Sequence, residues 1–225
     1  MNPILKVSEL CKSYTQGDQE VKVLTHINME VSKGEKIAIL GQSGCGKSTL
    51  LSLLGGLDNP DSGTIEVDGV QLASMSEDDR SKTRSQKLGI IFQQYHLMRN
   101  LTAMENVGLP LEILGVANDQ QLAQDALSEV GLSHRSSHFP SEMSGGECQR
   151  VAIARALVTQ PSLILADEPS GNLDQKTGEE VMSLLFQLCT EHNTTLLLVT
   201  HNGELAHRCD RILQLTEGGL HEQSK

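Results

Sequence analysis

Gly41-Gln42-Ser43-Gly44-Cys45-Gly46-Lys47-Ser48-Thr49 decides how this chain is read. The stretch fits the pattern G-x-x-x-x-G-K-[ST], a loop whose backbone wraps phosphate. Its surroundings suit that role. The aliphatic run Lys36-Ile37-Ala38-Ile39-Leu40 before it is expected as a strand, and Ser48 to Leu54 after it as a helix. Glycines let the backbone approach an anion closely, so that N–H groups and the helix start face it. Lys47 would reach the β- and γ-phosphates, and the Ser48 hydroxyl would complete a Mg²⁺ shell. A Gly-rich turn with no ligand is the competing reading, and the strand-loop-helix context stands against it.

The 225 residues suit one large domain or two intimate subdomains around a buried core. No run approaches the ~20 apolar residues of a membrane span. Met1-Asn2-Pro3-Ile4-Leu5-Lys6 lacks the basic-then-apolar build of a signal peptide, so a cytosolic protein is expected. The five cysteines, Cys11, Cys45, Cys148, Cys189 and Cys209, are odd in number and scattered, which argues for reduced thiols. A net charge of −11 disfavours a nucleic-acid binder. It does not disfavour a nucleotide, which needs only local positive potential.

Outward from the loop, residues 4–12 and 20–31 read as strands joined by the turn Thr15-Gln16-Gly17-Asp18. Short strands are expected around Asp68-Gly69, a helix from Ser76 and Asp79 to about Gln86, and a buried strand over Leu88–Phe92. From Gln93 to about Gln160 the pattern turns helical, with Thr102/Glu105 and Asn118/Gln121 spaced as reciprocal helix caps. Strands return at Leu163–Ala166, Thr195–Thr200 and Ile212–Leu215, with a helix over Lys176–Glu191 between the first two. Alternating strands and helices imply an α/β fold with a mostly parallel sheet.

Two further stretches carry chemistry. Leu163-Ile164-Leu165-Ala166-Asp167-Glu168 is an apolar strand ending in two carboxylates, at the strand end where open α/β sheets bind ligands. Asp167 suits holding Mg²⁺ through water, and Glu168 suits polarising an attacking water. A solvated strand end is the alternative. Ser144-Gly145-Gly146-Glu147 has the spacing of a capping box. Two consecutive glycines weaken a helix, by about 1 kcal/mol each in an interior, and make sense where a phosphate must come close. One loop binds one nucleotide, so this second phosphate-facing helix start would act on a neighbour's.

At this point the chain resembles the ATP-binding subunit of an ABC transporter over nearly its whole length, with Ser144-Gly145-Gly146 matching the signature of that family. The resemblance implies a P-loop, RecA-like core over 1–92 and 161–225, carrying an N-terminal antiparallel β subdomain. A helical subdomain would be inserted over 93–160. It also implies two copies closing head to tail on two Mg·ATP. Gly41, Ser43, Gly44, Cys45, Gly46, Lys47, Ser48 and Thr49 would hold the phosphates, and Tyr14 would stack on adenine unless it is a packed core residue. Gln93 would sense Mg²⁺ and water, and His201 would contact the γ-phosphate. Ser144, Gly145, Gly146 and Asp174 would face the other copy's nucleotide, and Asp174 could also cap the helix after it. Ser48, Gln93 and Asp167 would attend the metal, and Glu168, His201, Lys47 and Gln93 the chemistry.

Gly55-Gly56-Leu57-Asp58, Glu168-Pro169-Ser170-Gly171-Asn172-Leu173-Asp174 and Ser144-Gly145-Gly146-Glu147 resemble the branch serving lipoprotein release, macrolide efflux, peptide export and cell division, and Phe92-Gln93-Gln94-Tyr95-His96-Leu97 is closest to its macrolide-efflux members. That branch implies a separate membrane permease docking near Gln93–Met104, and a place on the cytoplasmic face of the inner membrane. An importer ATPase and a soluble ABC protein acting on DNA or ribosomes are the alternatives. The chain departs from the family pattern at Met143, Glu147 and Asn202, where Leu, Gln and Asp are usual. Cys45 reads as a tolerated small residue, and His134/His138 as part of a surface turn rather than a metal site.

Overall fold

The computed structural model describes residues 3–17, 19–72, 75–217 and 219–223. Asp18 of the expected turn, Gly218 and the first two residues of the N-terminal stretch lie outside them. The chain forms two compact units, one from 1–84 and 195–225, the other from 85–194.

In the first unit, β1 (Leu5–Gln16) and β2 (Gln19–Val31) form a long antiparallel hairpin. β1 pairs on its other edge with β4 (Ser62–Val67), which turns into the short β5 (Val70–Gln71). Asp68 and Gly69, at φ +49° and +75°, make that turn as the sequence suggests. The hairpin strands run further than expected, because register shifts between Val7 and Ser13 absorb irregular residues without ending the pairing. β3 (Lys36–Leu40) lies between β8 (Thr195–Val199) and β9 (Arg211–Thr216), parallel to both. β10 (Gly219–Gln223) adds antiparallel to β9, a strand that Leu220 alone among polar neighbours did not announce.

The helix after β3, α1 (Lys47–Leu54), is eight residues long and marginal on propensity alone. Leu50, Leu51, Leu53 and Leu54 are all buried, each worth ~1.5–3 kcal/mol, so packing fixes this helix and with it the loop it follows.

In the second unit, β6 (Leu88–Ile91) and β7 (Leu163–Asp167) pair in parallel. α5 (Gly145–Leu157) packs on β6 and against α3 (Ala103–Leu114), α4 (Asp119–Glu129) and α6 (Gln175–Glu191). Thr102 caps α3 in a complete capping box with Glu105. Asn118 does not cap α4. Its backbone is left-handed at φ +61° and its side chain makes no cap bond, so the expected Asn118/Gln121 pair is corrected to a plain turn residue. α2 (Glu77–Lys87) joins the two units in sequence, and α7 (Gly203–His207) is a short helix that packs on β3 and β9.

Candidate functional site

In the first unit the phosphate loop has the backbone its glycines allow. Gly44 and Gly46 sit at φ +83° and +97°. A Cβ on Gly46 would lie 2.8 Å from Val23 Cγ1 and 3.1 Å from Val23 O, so close approach and handedness both require glycine. Gly46 is the N-cap of α1 and supplies no side-chain cap, which leaves the first-turn N–H groups to other acceptors. Lys47 is only 8% exposed, and its Nζ donates to the carbonyls of Gly41 and Gln42, both at 2.9 Å. This nearly buried cation is thus held over the loop by neutral acceptors, which a phosphate would outcompete. An open cleft of about 690 Å³ runs beside the loop, lined by Val21, Val23, Gln42–Cys45 and Leu215–Glu217.

Two other expected site residues share this unit. Tyr14 is an exposed ring on β1, not a core residue. His201 is exposed just after β8. The adjacent Asn202 accepts from the backbone N–H groups of Glu204 and Leu205 at 2.9 and 3.2 Å, so it caps α7, a role Asn fills as well as Asp.

The second unit holds the rest. Asp167 ends β7, and Glu168 follows with φ +43°, an uncommon left-handed value for a non-glycine residue. Gln93 lies beyond β6, and its Nε2 donates to Asn172 Oδ1 at 3.1 Å, while Asn172 Nδ2 donates to the Gln93 carbonyl at 3.0 Å. Tyr95 and His96 are also left-handed, at φ +59° and +48°. Arg155 of α5 secures both, donating to the His96 carbonyl at 2.6 Å and the Tyr95 carbonyl at 2.8 Å. Burial pulls the Arg155 guanidinium below its usual value. Asn106, fully buried on α3, ties the turn before the helix by bonding Met98 and the carbonyls of Leu101 and Thr102. Sequence reading missed Arg155, Asn106 and Asn172; a polar Asn106 on an apolar helix face was the one available signal.

Ser144 caps α5 in a complete capping box with Glu147, whose Oε1 also accepts from Arg135 at 2.8 Å. The bond from the Ser144 amide, with smaller contributions from the Ser144 hydroxyl and Arg135, outweighs burial and holds the Glu147 carboxyl below its ordinary range. The two glycines have a packing reason besides any phosphate. A Cβ on Gly145 would meet the Tyr95 hydroxyl at 2.8 Å, and one on Gly146 would meet Thr177 Cγ2 of α6 at 2.5 Å. Asp174 caps α6, accepting from the Thr177 amide at 3.1 Å.

The ABC transporter family model matches residues 24–171. The chain belongs to the ABC transporter family. It is 51% identical to the lipoprotein-releasing system ATP-binding protein LolD of Psychrobacter arcticus, over 97% of this chain and 98% of that protein. The LolD of Legionella pneumophila is 48% identical over 98% and 99%. The uncharacterized ABC transporter ATP-binding protein YbbA of Escherichia coli K12 is 46% identical over 98% of each. Among solved structures, the dimeric post-hydrolysis state of the ATP-binding cassette MJ0796 bound to ADP and Pi matches with TM-score 0.89 at 38% identity, covering 98% of both chains. The P-loop α/β fold and an ATP-binding, ATP-hydrolysing activity follow from these matches. No helix among the described residues is long and apolar enough to cross a membrane.

Proposed function

We propose that two copies of this chain close head to tail on two Mg·ATP, hydrolyse them, and reopen, driving a separate membrane permease of the lipoprotein-release type. The observation that carries this is near-full-length identity of about half to LolD proteins, together with a Ser144-capped Gly145-Gly146 helix start. The dimeric ADP-bound relative supports the two-copy assembly. The core, 1–92 and 161–225, would carry most of the chemistry, and the helical subdomain, 93–160, would present Ser144, Gly145 and Gly146 to the other copy's nucleotide, at the cytoplasmic face of the inner membrane. The permease would dock near Gln93–Met104.

Phosphoryl transfer is catalysed mostly by positioning and charge, which sets the roles. Lys47 exchanges its two carbonyl acceptors for β- and γ-phosphate oxygens, and Gly41–Thr49 present backbone N–H groups to them. Tyr14 stacks on adenine. Glu168 polarises the attacking water and His201 contacts the γ-phosphate. Ser144, Gly145, Gly146 and Asp174 contact the other copy's nucleotide. Ser48, Gln93 and Asp167 offer hydroxyl, amide and carboxylate oxygens, the hard donors Mg²⁺ takes, and among the described residues no cluster of three His, Cys, Asp or Glu offers a protein cage for a different ion. That ion, when bound, neutralises charge on the phosphates. The Gln93–Asn172 pairing uses the Gln93 nitrogen and leaves its oxygen Oε1 for this role.

The experiment is to tag the Glu168→Gln variant, solubilise membranes with ATP present, and identify the co-purifying protein. A permease with four spans and a large external domain supports the reading. A many-span partner without that domain would indicate an importer, and recovery of the chain alone would favour a soluble role. Light scattering of the same variant should give a dimer with ATP and a monomer without it.

A further inference from the structure

Tyr14 is held mainly by a cluster outside the phosphate loop, beside one side-chain bond between its hydroxyl and Thr49 of that loop. Its hydroxyl donates to Asp58 Oδ2 at 2.8 Å. Lys12, two residues earlier on the same face of β1, places Nζ 4.9 Å from the Tyr14 ring centroid. The same Nζ lies 3.1 Å from Asp58 Oδ2, donates to the Asn59 carbonyl at 2.7 Å, and stands 3.9 Å from Asp61 Oδ1. The Lys12 side chain is 11% exposed, so this cation is committed to the cluster and not to solvent. Asp61 in turn accepts from the Ser13 amide at 2.6 Å, and its own amide donates to the Cys11 carbonyl at 3.0 Å. The connector 55–61 is thus laced to β1 directly beneath Tyr14.

That connector leaves the far end of α1, whose near end is the phosphate loop. Gly55 and Leu57 close the helix by bonding Leu51 and Ser52 carbonyls. α1 spans only ~12 Å, at 1.5 Å per residue. A ring fixed to the connector is therefore fixed at a set distance from the loop by one short, leucine-packed helix. With the ammonium on one face and 43% of Tyr14 exposed, a single ring face remains for a base. The electrostatics keep the arrangement intact. Burial raises the Asp58 carboxyl, but bonds from Tyr14, the Asn59 amide and Lys12 more than offset it and leave it low. Burial, and then the neighbouring Asp58, raise the Tyr14 hydroxyl, so donor and acceptor keep their protonation through the neutral range.

We propose that Asp58 and Lys12 are positioning residues for the base, acting through Tyr14 to set the ring at the spacing from the phosphate loop that an adenine nucleotide requires. This rests on the reading of Tyr14 as the adenine platform.

Calorimetric titration of the full-length chain with ADP and, separately, with inorganic pyrophosphate tests both levels without hydrolysis. Tyr14→Ala should weaken ADP about tenfold or more, the scale of one base on one aromatic. Asp58→Ala, which removes the tether, and Tyr14→Phe, which keeps the ring and removes the hydroxyl's bonds to Asp58 and Thr49, should each weaken ADP about three- to tenfold. Asp58→Ala should leave pyrophosphate unchanged, and it should add nothing in the Tyr14→Ala background. Wild-type ADP affinity in Tyr14→Phe and Asp58→Ala, with Tyr14→Ala weakened, overturns the positioning role and leaves the platform reading standing. Equal loss of ADP and pyrophosphate in Asp58→Ala, with Tyr14→Phe at wild type, marks Asp58 as structural only and also overturns it. Wild-type ADP affinity in Tyr14→Ala removes the platform itself, and the proposal with it.

Discussion

Asn172 holds Gln93 at two points, receiving its side-chain N–H at 3.1 Å and returning one to its backbone carbonyl at 3.0 Å. The segment after β6 and the turn before α6 are therefore one hydrogen-bonded piece. Both bonds are exposed, so their worth to stability is small, ~0.5–1 kcal/mol each. Their worth to geometry is larger. Asn172→Ala should unfold within about 2 kcal/mol of the parent while ATP turnover falls about tenfold, the kind of loss a small misplacement brings. Turnover at the parental rate would show that Gln93 needs no such tether.

Glu168→Gln should retain ATP binding and slow hydrolysis by ~10²–10⁴-fold, the usual scale for an acid–base group. Near-normal turnover in single-turnover assays would remove Glu168 from its role.

Lys47→Ala should lose nucleotide affinity outright, measured by calorimetry. The loop loses its one buried cation, and the carbonyls of Gly41 and Gln42 lose their donor. Tight ATP binding by this variant would contradict the phosphate-loop assignment.

Arg155→Ala should be among the more destabilising substitutions in the chain, about 3 kcal/mol in denaturant titration, because two charge-assisted bonds and two left-handed residues depend on it. Arg155→Lys should recover little, since a single ammonium does not reproduce the planar fork. Full stability in Arg155→Lys would mean the strained pair is held by something else.

The Glu147 carboxyl titrates lower when folded than when unfolded, so it binds a proton less readily in the native state. Its stabilisation is complete above the ordinary glutamate range and disappears as the pH falls through its lowered folded value. Glu147→Gln should therefore be less stable than the parent by about 1 kcal/mol near neutrality, the scale of a helix cap, with the gap closing in acid. A gap that persisted in acid would assign the effect to packing.

Much of this was legible in the sequence, and the pattern of what was not has physical causes. The P-loop strand, its helix, β7 and the α5 capping box follow from local chemistry: apolar runs, glycine spacing, and a serine three residues before a glutamate. Asn118 looked like a cap by the same rule, but its backbone is left-handed and its side chain cannot reach. Arg155, Asn106 and Asn172 act on residues that the chain brings near only after folding, 59, 8 and 79 positions away in their principal bonds. Asn202 was visible as a departure but not as a cap, because α7 is too short to show a period.

The paired glycines at the start of α5 carry one more implication. Because a methyl at 146 would press on Thr177 Cγ2, these positions should drift together among relatives: a larger residue at 146 becomes admissible only where 177 gives up that methyl, as in Thr177→Ser. An alanine scan through the signature then mixes two effects, and only the compensated double variant separates nucleotide contact from crowding inside the same chain.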